Sequence, residues 1–459
     1  MKNYKKTLFI FRRDLRLDDN NGLAQALAQS EMVIPCFIFD PRQIGSGNSY
    51  KSDNAIQFMI ESLIDLDGQL YKRNGKLYIF NNDAHKTVEQ LIKHEKIDAV
   101  FCNKDYTPFS KKRDEQIESL CKKYNVHFQQ FADALLNEPE VVKTKSGTPY
   151  AVFTPFYRYC AKTFPVTNPT TLKDESFYTA PISLEADSKT FHNIATYNPL
   201  IKVQGGSIAA HKILNALSAQ RNYLADRDYP ALDATTHLSA HLKFGTVSVR
   251  QTFHAIKKTL GSNHPLLRQL YWRDFFYHVA YNNPTVFGYA YHRKYDALWW
   301  ENDKKKFDAW CQGKTGFPIV DAGMRELNTT GYMHNRVRMI VASFLVKDLH
   351  IDWRWGEKYF AQKLVDYDPA VNNGNWQWAA STGCDAQPYF RIFNPWLQQA
   401  KFDHECEYIK KWVPELENAP VKVIHTWYKT DRLPLSDYPR PMIDHAKESS
   451  LAKKLYKRC

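Results

Sequence analysis

The sequence predicts an α/β fold in two parts: an amino-terminal doubly wound parallel-sheet domain and, after a long connector, a large all-helical domain. The first third of the chain alternates short apolar runs with amphipathic stretches, which is typical of strands and helices around a parallel sheet. From residue 207 onward, apolar residues recur at helical spacing instead. The predicted domains are residues 1–135, a connector at 136–206, and residues 207–459.

Five short apolar runs in the first domain are the predicted strands. Aromatic and β-branched residues recur in them, and such side chains pack well on a pleated sheet. The runs lie at 7–11, 33–39, 76–80, 99–103 and 126–131.

Amphipathic stretches between these runs predict the crossover helices. Between the second and third strands, apolar residues from Ile56 to Leu70 recur at helical spacing, and we expect Asp53 to cap the helix and Gly75 to end it. The same spacing predicts two further helices, at about 84–95 and 111–123. Parallel strands joined by helices form a doubly wound sheet.

The connector is rich in Pro, Thr, Ser and Lys and shows little sustained periodicity, as in FPVTNPTTLKDESFYTAPIS. We interpret it as a long segment on the surface. After it, SIAAHKILNALSAQRNYL and RVRMIVASFLVKDL show helical spacing, with Gly and Pro at the breaks. We interpret the final basic stretch, AKESSLAKKLYKRC, as a solvated helix end.

The composition indicates a globular protein that favours a polyanionic partner. The chain has 459 residues, of which 44% are hydrophobic and 24% charged, and this is enough for two or three domains with cores of their own. The formal net charge of +13 favours nucleic acid, because Lys and Arg that neutralise phosphates release condensed counterions. Solubility is the alternative explanation of that charge.

Targeting and metal-site signals are weak. The apolar run TLFIF is too short for a signal core, and no segment reaches transmembrane length, so we expect no membrane partner. The eight Cys show no CxxC pair and no spacing suited to a zinc site or a disulfide framework. We therefore expect no metal, reduced thiols and a cytoplasmic protein, with an organelle or the nucleus as alternatives.

One stretch, DYDPAVNNGNWQWAASTGCDAQPYFRIFNP at 366–395, combines carboxylates, amides and indoles. Its acids and amides supply acceptors and donors for a heteroaromatic ring system. Gly374 and Gly383 permit close backbone approach, and Trp376 and Trp378 supply stacking faces. An aromatic-rich helical core with capping Asp and Asn residues is the alternative. The stretch favours a cofactor site with redox or base-handling chemistry.

This stretch, and KTGFPIVDAGMRELNTTGYMHNRVRMIVASFLVKDLHIDWRWGEKYF at 314–360, closely resemble the photolyase/cryptochrome family of blue-light flavoproteins. The resemblance begins at FRRDLRLDDN and extends to about Pro414. Within the family the chain is most similar to cyclobutane pyrimidine dimer DNA photolyases of the class I type. The resemblance implies FAD in the helical domain of a monomeric carbon–carbon lyase. In that reaction, light drives an electron from reduced FAD into a pyrimidine dimer of UV-damaged DNA.

The resemblance also assigns the FAD contacts. TTHLSAHLKFG matches the family's TSxLS loop, whose hydroxyls and amides hold the pyrophosphate. Asp366 and Asp368 match the family's two acids near the isoalloxazine, where one accepts from flavin N3 and the other pairs with Arg338. Asn372 matches the residue that faces flavin N5. The implied cofactor-binding residues are Tyr223, Thr235, Thr236, His237, Leu238, Ser239, Arg273, Arg338, Asp366, Tyr367, Asp368 and Asn372.

Asn372 bears on the subgroup. A neutral amide there tolerates an anionic reduced flavin better than an Asp would. Plant-type cryptochromes carry Asp and animal-type ones Cys at this position, so Asn372 indicates a repair enzyme.

The resemblance implies a three-indole electron relay from the surface to the flavin. Trp300, Trp353 and Trp376 stand in its contexts, which are WWEND, IDWRWG and NNGNWQW. Taken singly, each would be interpreted as core. The residues expected to carry the chemistry are therefore Trp300, Trp353, Trp376, Asn372 and Gln269. The remaining candidates for core or surface are Trp299, Trp310, Trp355 and Trp396.

Residues that line the lesion cavity in relatives are also present. Photolyases are themselves among the known base-flipping enzymes, and the resemblance carries a flipped-out pyrimidine dimer over to this chain. Trp272 and Trp378 would supply stacking faces, and Arg227, Arg336 and Arg391 would meet phosphates. The implied DNA-binding set is Arg227, Gln269, Trp272, Arg273, Asn335, Arg336, Met339, Trp378 and Arg391.

Gln269 departs from the family pattern. Relatives that split cyclobutane dimers usually carry Glu there, whereas six-four photolyases carry Gln. Six-four enzymes also use two His residues as proton donors where this chain has Asn335 and Met339, which cannot act as acids. We therefore expect dimer repair, at a lower efficiency. Six-four repair and a signalling cryptochrome are the alternatives.

A second, light-harvesting chromophore often occupies the amino-terminal domain of family members. Folate-binding relatives carry a His and an Asn-Glu pair where this chain has Gly47 and Phe109-Ser110, so folate is disfavoured. DYTPFSKKRD resembles the deazaflavin-binding subgroup more closely. Flavin mononucleotide or no antenna are the alternatives.

Overall fold

The computed structural model describes residues 2–172, 176–186, 194–429 and 437–459. Its contacts define two compact units. The first unit comprises Met1–Tyr197, Val203–Arg221 and Thr236–Pro284, and the second comprises Asn198–Lys202, Asn222–Thr235 and Thr285–Cys459. The predicted domain boundaries at 135 and 206 mark changes in the sequence pattern, whereas the two units are defined by contacts. The units therefore do not test these boundaries, which remain a prediction.

The sheet of the first unit has five parallel strands: β1 (Tyr4–Phe11), β2 (Ser30–Phe39), β3 (Tyr78–Asn81), β4 (Ala99–Asn103) and β5 (His127–Phe131). The strand order is β3-β2-β1-β4-β5. All five predicted runs are confirmed as strands, and the connections run to both sides of β1. This is the doubly wound topology, in which ligands bind beyond the carboxyl ends of the strands where the order reverses.

Helices make up most of the rest of the described chain. They are α1 (Asn21–Gln29), α2 (Pro41–Ile44), α3 (Asp53–Tyr71), α4 (Ala84–Glu95), α5 (Pro108–Lys123), α6 (Phe153–Thr163), α7 (Ser207–Asn215), α8 (Tyr223–Asp226), α9 (Leu238–Phe244), α10 (Val249–Leu260), α11 (Pro265–Asn282), α12 (Lys304–Gln312), α13 (Pro318–Thr330), α14 (Asn335–Ser343), α15 (Trp353–Lys363), α16 (Pro369–Ala379), α17 (Pro395–Phe402), α18 (Glu407–Trp412), α19 (Val421–His425) and α20 (His445–Lys457). A π-helical turn, Phe344–Asp348, follows α14.

Two local expectations are corrected. The cap of α3 is Ser52, whose Oγ accepts from Ala55 N at 3.2 Å, and Asp53 is the first helical residue. The connector also contains α6, which buries Phe153 and Phe156 on one face. Only three turns long, α6 has too few apolar repeats to stand out from its Pro-rich flanks.

The helical character expected after residue 207 is confirmed, and the second unit is organised around an aromatic core. Trp310, Trp353 and Trp427 are among its fully buried side chains. The predicted helix at the carboxy terminus is α20, which buries Ala452 and Tyr456.

Among the residues that the structure describes, no helix is both long enough and apolar enough to cross a membrane. All eight cysteines lie in the described parts of the chain and are free thiols there.

Candidate functional site

The best-defined polar pair among the predicted cofactor residues joins α14 to the segment before α16. Arg338 donates from Nη1 to Asp366 Oδ1 at 3.2 Å and from Nη2 to Asp366 Oδ2 at 3.0 Å. Its Nε donates to the Met333 carbonyl at 2.7 Å. The Asp366 side chain is 5% exposed. Burial acts to lower the pKa of Arg338, but Asp366 outweighs this and raises it, so the guanidinium stays charged.

Asp368, the second predicted acid, caps α16. Its Oδ1 accepts from Ala370 N at 3.1 Å and from Val371 N at 3.3 Å, and Pro369 is the first helical residue. Because an N-cap carboxylate satisfies helix N–H groups that would otherwise lack partners, this arrangement fixes where α16 begins. Asp366 is therefore the acid that pairs with arginine, and Asp368 is the acid that starts the helix.

Asn372 follows in the first turn of α16 and is 8% exposed. Its Nδ2 donates to the Glu357 carbonyl at 3.0 Å, while its Oδ1 accepts no hydrogen bond from any residue in the described ranges. The oxygen keeps some access to solvent, so a bound ligand can reach it and supply a donor. Flavin rings carry N–H and carbonyl groups at their edges, so this amide and the Arg338–Asp366 pair fit FAD.

Glu357 was not recognised as part of the site from the sequence. It is 6% exposed, and its Oε1 accepts from Asn373 Nδ2 at 3.0 Å. Burial raises its pKa to about 7. Gln377 Nε2 in turn donates to Asn373 Oδ1 at 3.0 Å. The spacing of Asn373 and Gln377 by four residues could have indicated this ladder, but a lone Glu in a helix is usually on the solvent face.

The predicted pyrophosphate-binding residues lie in the loop before α9 and in the first two residues of that helix. His237 precedes the helix with φ of 53°, the left-handed region that non-glycine residues rarely adopt. The Leu238 N–H donates to Thr236 Oγ1 at 3.4 Å. Ser239 is exposed, and its role at a phosphate stays a prediction. In the second unit, the Thr235 hydroxyl lies 3.3 Å from the Tyr332 hydroxyl.

Two predicted cofactor tyrosines lie in the second unit. Tyr223 is 8% exposed, and the Arg227 guanidinium lies 5.3 Å from its ring centroid. Tyr367 is half-buried and packs against the aromatic core. Neither position alone indicates what the hydroxyls bind.

The three tryptophans predicted to form the relay all pack in the core of the second unit. Trp353 and Trp376 are 1% and 2% exposed, and Trp300 is half-buried at its edge. The ring of Trp376 meets Phe360 edge-on at 5.0 Å and Trp310 at 6.2 Å. Within the described part of the chain, no ring contact joins the three relay candidates to one another. Trp310 is a further indole beside Trp376 that sequence context did not single out.

The other indoles divide between core and surface. Trp310 and Trp396 are core residues, Trp299 is 56% exposed, and Trp355 and Trp378 are half-buried against the core.

The predicted lesion residues of the first unit lie on α11. The Gln269 amide makes no hydrogen bond to any residue that the structure describes, so its donors and acceptor are free for a ligand. The Trp272 ring stacks on Phe153 with centroids 3.6 Å apart and planes 8° apart. One face of that indole is therefore held in place by Phe153.

Arg273, predicted to bind cofactor and DNA, has backbone partners. Its Nη1 donates to the Ala134 carbonyl at 2.7 Å and its Nη2 to the Leu242 carbonyl at 3.2 Å. These contacts give it a structural role, and a ligand contact remains a prediction.

The predicted lesion residues of the second unit form smaller groups. Asn335 and Met339, one turn apart on α14, contact each other through Nδ2 and Sδ at 3.8 Å. Arg336 pairs with Asp228 at 2.8 Å and lies 4.4 Å from the Phe402 ring.

The other two predicted phosphate-binding arginines are freer. Arg227 is 3.8 Å from Asp228, and its side chain is 27% exposed. Arg391 is exposed. Arg336 is the most engaged of the three cations.

Two family models match this chain. The family described as "DNA photolyase" matches residues 7–173, and the family described as "FAD binding domain of DNA photolyase" matches residues 266–458. Together these matches extend over most of the chain.

Curated relatives carry the name "Deoxyribodipyrimidine photo-lyase". The relative from Agrobacterium fabrum is 37% identical over 472 residues, covering 96% of this chain and 96% of the relative. The relative from Escherichia coli is 37% identical over 460 residues, covering 95% of each.

Solved structures with the same fold include photolyases and a cryptochrome. An archaeal photolyase from Sulfolobus tokodaii, described with two FAD molecules, is 44% identical with a TM-score of 0.89 over 99% of this chain and 100% of its own. A class III photolyase from Agrobacterium tumefaciens is 35% identical with a TM-score of 0.92, covering 100% and 98%. A Synechocystis cryptochrome is 27% identical with a TM-score of 0.89, covering 99% and 100%.

Proposed function

The chain belongs to the DNA photolyase family, and on that premise we propose that it is a DNA-repair flavoenzyme that uses light to split cyclobutane pyrimidine dimers. The chemistry that bound, reduced FAD supplies is light-driven transfer of one electron to the cyclobutane ring, which opens and returns the electron. The tasks left to the protein are to hold the cofactor, to position the flipped dimer and to exclude water.

The observation that carries this proposal is the unpartnered Oδ1 of the buried residue Asn372. It offers an acceptor to a flavin N–H. Because the amide is neutral, it does not repel negative charge on the reduced ring. The Arg338–Asp366 pair adds a planar, charged hydrogen-bonding edge. The resemblance assigns the phosphates to Thr235, Thr236 and His237, and to Leu238 and Ser239 at the start of α9.

The lesion would be held by α11. The free amide of Gln269 can both donate to and accept from the edge of a pyrimidine, and Trp272 offers an indole held by Phe153. Arg227 and Arg391 are the cations best placed by exposure to meet phosphates.

Electrons would move between the surface and the buried site through Trp300, Trp353 and Trp376. Trp300 is half-buried, whereas Trp353 and Trp376 are buried. This arrangement supports the route, because a reductant in solution can reach the outer indole and reduce its oxidised form. Trp310, beside Trp376, offers a branch.

Six-four repair is the alternative lesion chemistry, and it is favoured only by Gln269. It requires a proton donor at the lesion. Asn335 and Met339 contact each other, and neither can donate a proton at neutral pH. We therefore propose the cyclobutane dimer as the substrate.

One assay tests the proposal. Purified protein is reduced, illuminated and supplied separately with oligonucleotides that carry a cyclobutane dimer or a six-four photoproduct. We expect repair of the cyclobutane dimer only, and no repair in the dark. Repair of the six-four lesion alone would replace the proposed substrate, and restoration of neither would favour a signalling role like that of a cryptochrome.

We also propose that the first unit holds a second chromophore with a flavin-type or deazaflavin-type ring. Where folate-binding relatives carry Glu, Ser110 donates to Asp105 Oδ2 at 2.8 Å and is buried. Phe109 precedes Ser110 in the sequence, and the Arg42 guanidinium lies 5.1 Å from the centroid of its ring. The Sulfolobus tokodaii photolyase has two FAD molecules, which imply a light-harvesting cofactor in that protein.

Chromatography of the pigments released by denaturing the purified protein tests this antenna. We expect FAD together with a second flavin or a deazaflavin. Release of a folate would overturn the assignment, and release of FAD at one equivalent per chain would mean that no antenna is held.

The same proposal includes a monomeric enzyme in a reducing compartment. The eight free thiols, seven of them buried, accord with the cytoplasm. Light scattering of the purified protein tests the monomer.

A further inference from the structure

Helix α11, which carries Gln269 and Trp272, is apolar on nearly every side. Its buried residues are Leu266, Leu267, Leu270, Tyr271, Asp274, Phe275, Phe276, Tyr277, His278, Val279 and Ala280. An amphipathic helix is held in one rotation by its apolar stripe, whereas a helix that is apolar all round has no such preference. The directions of Gln269 and Trp272 depend on that rotation, so something else has to set it.

The polar contact that can set it comes from Asp274, which is fully buried. Its Oδ2 accepts from Leu136 N at 2.9 Å and from Asn137 N at 3.0 Å. Its Oδ1 is buried without a hydrogen-bond partner, and the nearest cation is Arg273 Nη1 at 3.9 Å. A single carboxylate thus holds two successive backbone N–H groups from a segment more than a hundred residues away.

Two neighbours of Asp274 on α11 contact the same segment. Arg273 donates to the Ala134 carbonyl at 2.7 Å. The Nε2 of His278 lies 2.8 Å from the Asn137 carbonyl, and burial lowers the pKa of this His to about 4, so that the neutral ring donates. Three side chains on one side of α11 therefore grip residues 134–137.

We propose that Asp274 is a positioning residue that sets the rotation of α11 and thereby aims Gln269 and Trp272 at the lesion. The inference rests on the proposed function, because it assigns those two residues to the lesion. A buried carboxylate with one unpaired oxygen is a poor source of stability, since apolar residues of similar size usually stabilise a core as well or better. Its physical role is directional: two N–H groups can meet it in only one rotation of the helix.

The surroundings of Asp274 also make it titratable near neutral pH. Burial raises its pKa to about 7, and Arg273 and the two backbone N–H groups oppose the rise. The other titratable groups that interact with it are Tyr271 on α11, Cys160 on α6, and Tyr106 and Glu138 outside the helices. The charged carboxylate is the stronger acceptor, so the grip on residues 134–137 tightens as the pH rises through about 7.

Two variants and one control test the proposal. Asp274→Asn keeps an acceptor for Leu136 and Asn137, whereas Asp274→Leu removes it at similar volume. Asp321→Leu is the matched control: this fully buried carboxylate also accepts backbone N–H groups, from Thr315 and Gly316, at a place remote in sequence from α11. All three proteins are first checked for bound flavin, and any that loses it is replaced by the Ala variant.

The readouts are dark binding of a dimer-containing oligonucleotide and hydrogen exchange of residues 134–137. We expect Asp274→Leu to weaken binding about tenfold or more and to speed exchange of the Leu136 and Asn137 amides, and Asp274→Asn to restore both. Asp321→Leu should change neither. Affinity of the parent protein should rise relative to Asp274→Asn as the pH passes about 7.

Parent-like binding by Asp274→Leu, or equal loss in the control, would overturn the proposal. If the parent itself does not bind the dimer, the proposed function fails instead. The exchange of residues 134–137 still decides whether Asp274 holds that segment.

Discussion

Gly356 lies directly against the indole of Trp376, and a Cβ built on this glycine would fall 2.2 Å from Cη2 of the ring. The same Cβ would be 2.6 Å from Leu345 Cδ2. Helices α15 and α16 therefore approach each other at a point where no side chain fits. The position of a relay candidate depends on the absence of one methyl group.

Gly356→Ala should destabilise the protein and displace Trp376. Overpacking a core costs about 1–3 kcal/mol, and the better helix propensity of Ala returns at most about 1 kcal/mol. We expect a lower thermal midpoint and slower photoreduction of the flavin.

Gly68→Ala is the matched control, since Gly68 lies inside α3 and a Cβ added to it would have no neighbouring atom within 4 Å. The free energy of unfolding of that variant should be about 0.5–1 kcal/mol higher than that of the parent. A neutral or stabilising effect of Gly356→Ala would show that the ring is free to move.

Trp376→Phe should block photoreduction of oxidised flavin and spare repair by chemically reduced enzyme. Phe keeps much of the packing against Phe360 but is far harder to oxidise than an indole. Trp310→Phe tests the branch, because Trp310 is equally buried and contacts Trp376. Unchanged photoreduction in Trp376→Phe would remove it from the relay, and loss in both would place Trp310 in the route.

Arg338→Lys should reduce the flavin retained through purification. A lysine ammonium cannot reproduce the two parallel bonds to Asp366, so a buried carboxylate is left poorly paired, at a cost of about 1–3 kcal/mol. Visible absorbance per protein measures retention. Arg325→Lys removes a similar bidentate pair with Glu415, whose carboxylate is more exposed than that of Asp366, and this variant should retain flavin. Equal retention by both would separate the Arg338 pair from the cofactor.

Gln269→Glu should raise the yield of dimer splitting, because a carboxyl group would then lie beside the proposed dimer site, as the family resemblance implies. Gln269→Ala should lower the yield by leaving the pyrimidine edge without a partner. Repair yield per absorbed photon is the measurement. A fall in Gln269→Glu as large as that in Gln269→Ala would show that the amide is adapted to another lesion.

Glu357 should make stability depend on pH. Burial raises its pKa from 4.5 to about 7, so folding takes up a proton between these values. The resulting stabilisation is complete below about pH 4.5 and is lost as the pH rises through about 7, by up to about 3 kcal/mol. Relative to Glu357→Gln, which does not titrate, the parent should lose thermal stability from about pH 5 to about pH 8. Parallel curves for the two proteins would show that Glu357 is charged throughout.

Local patterns carried much of the fold. Each of the five predicted strand runs is a strand, and the helices predicted at 84–95 and 111–123 are α4 and α5. Alternation and helical spacing depend on neighbours within a few residues, so they can be read along the chain. Asp53 does not cap α3, because Ser52, one position earlier, accepts from the Ala55 N–H.

The sequence alone therefore determined the five strands and three crossover helices of the first unit, the helical character after residue 207, the tryptophan and amide composition of the stretch at 366–395, and the family. The tertiary structure decided which polar groups are buried and what they face. Asp366, and not Asp368, pairs with Arg338. Glu357 accepts a hydrogen bond from Asn373. Asp274 accepts one from Leu136, which is 138 positions away in the sequence. The physical reason is that the burial and direction of a side chain are set where segments distant in sequence pack together. A local sequence pattern does not specify which distant segment will pack against it.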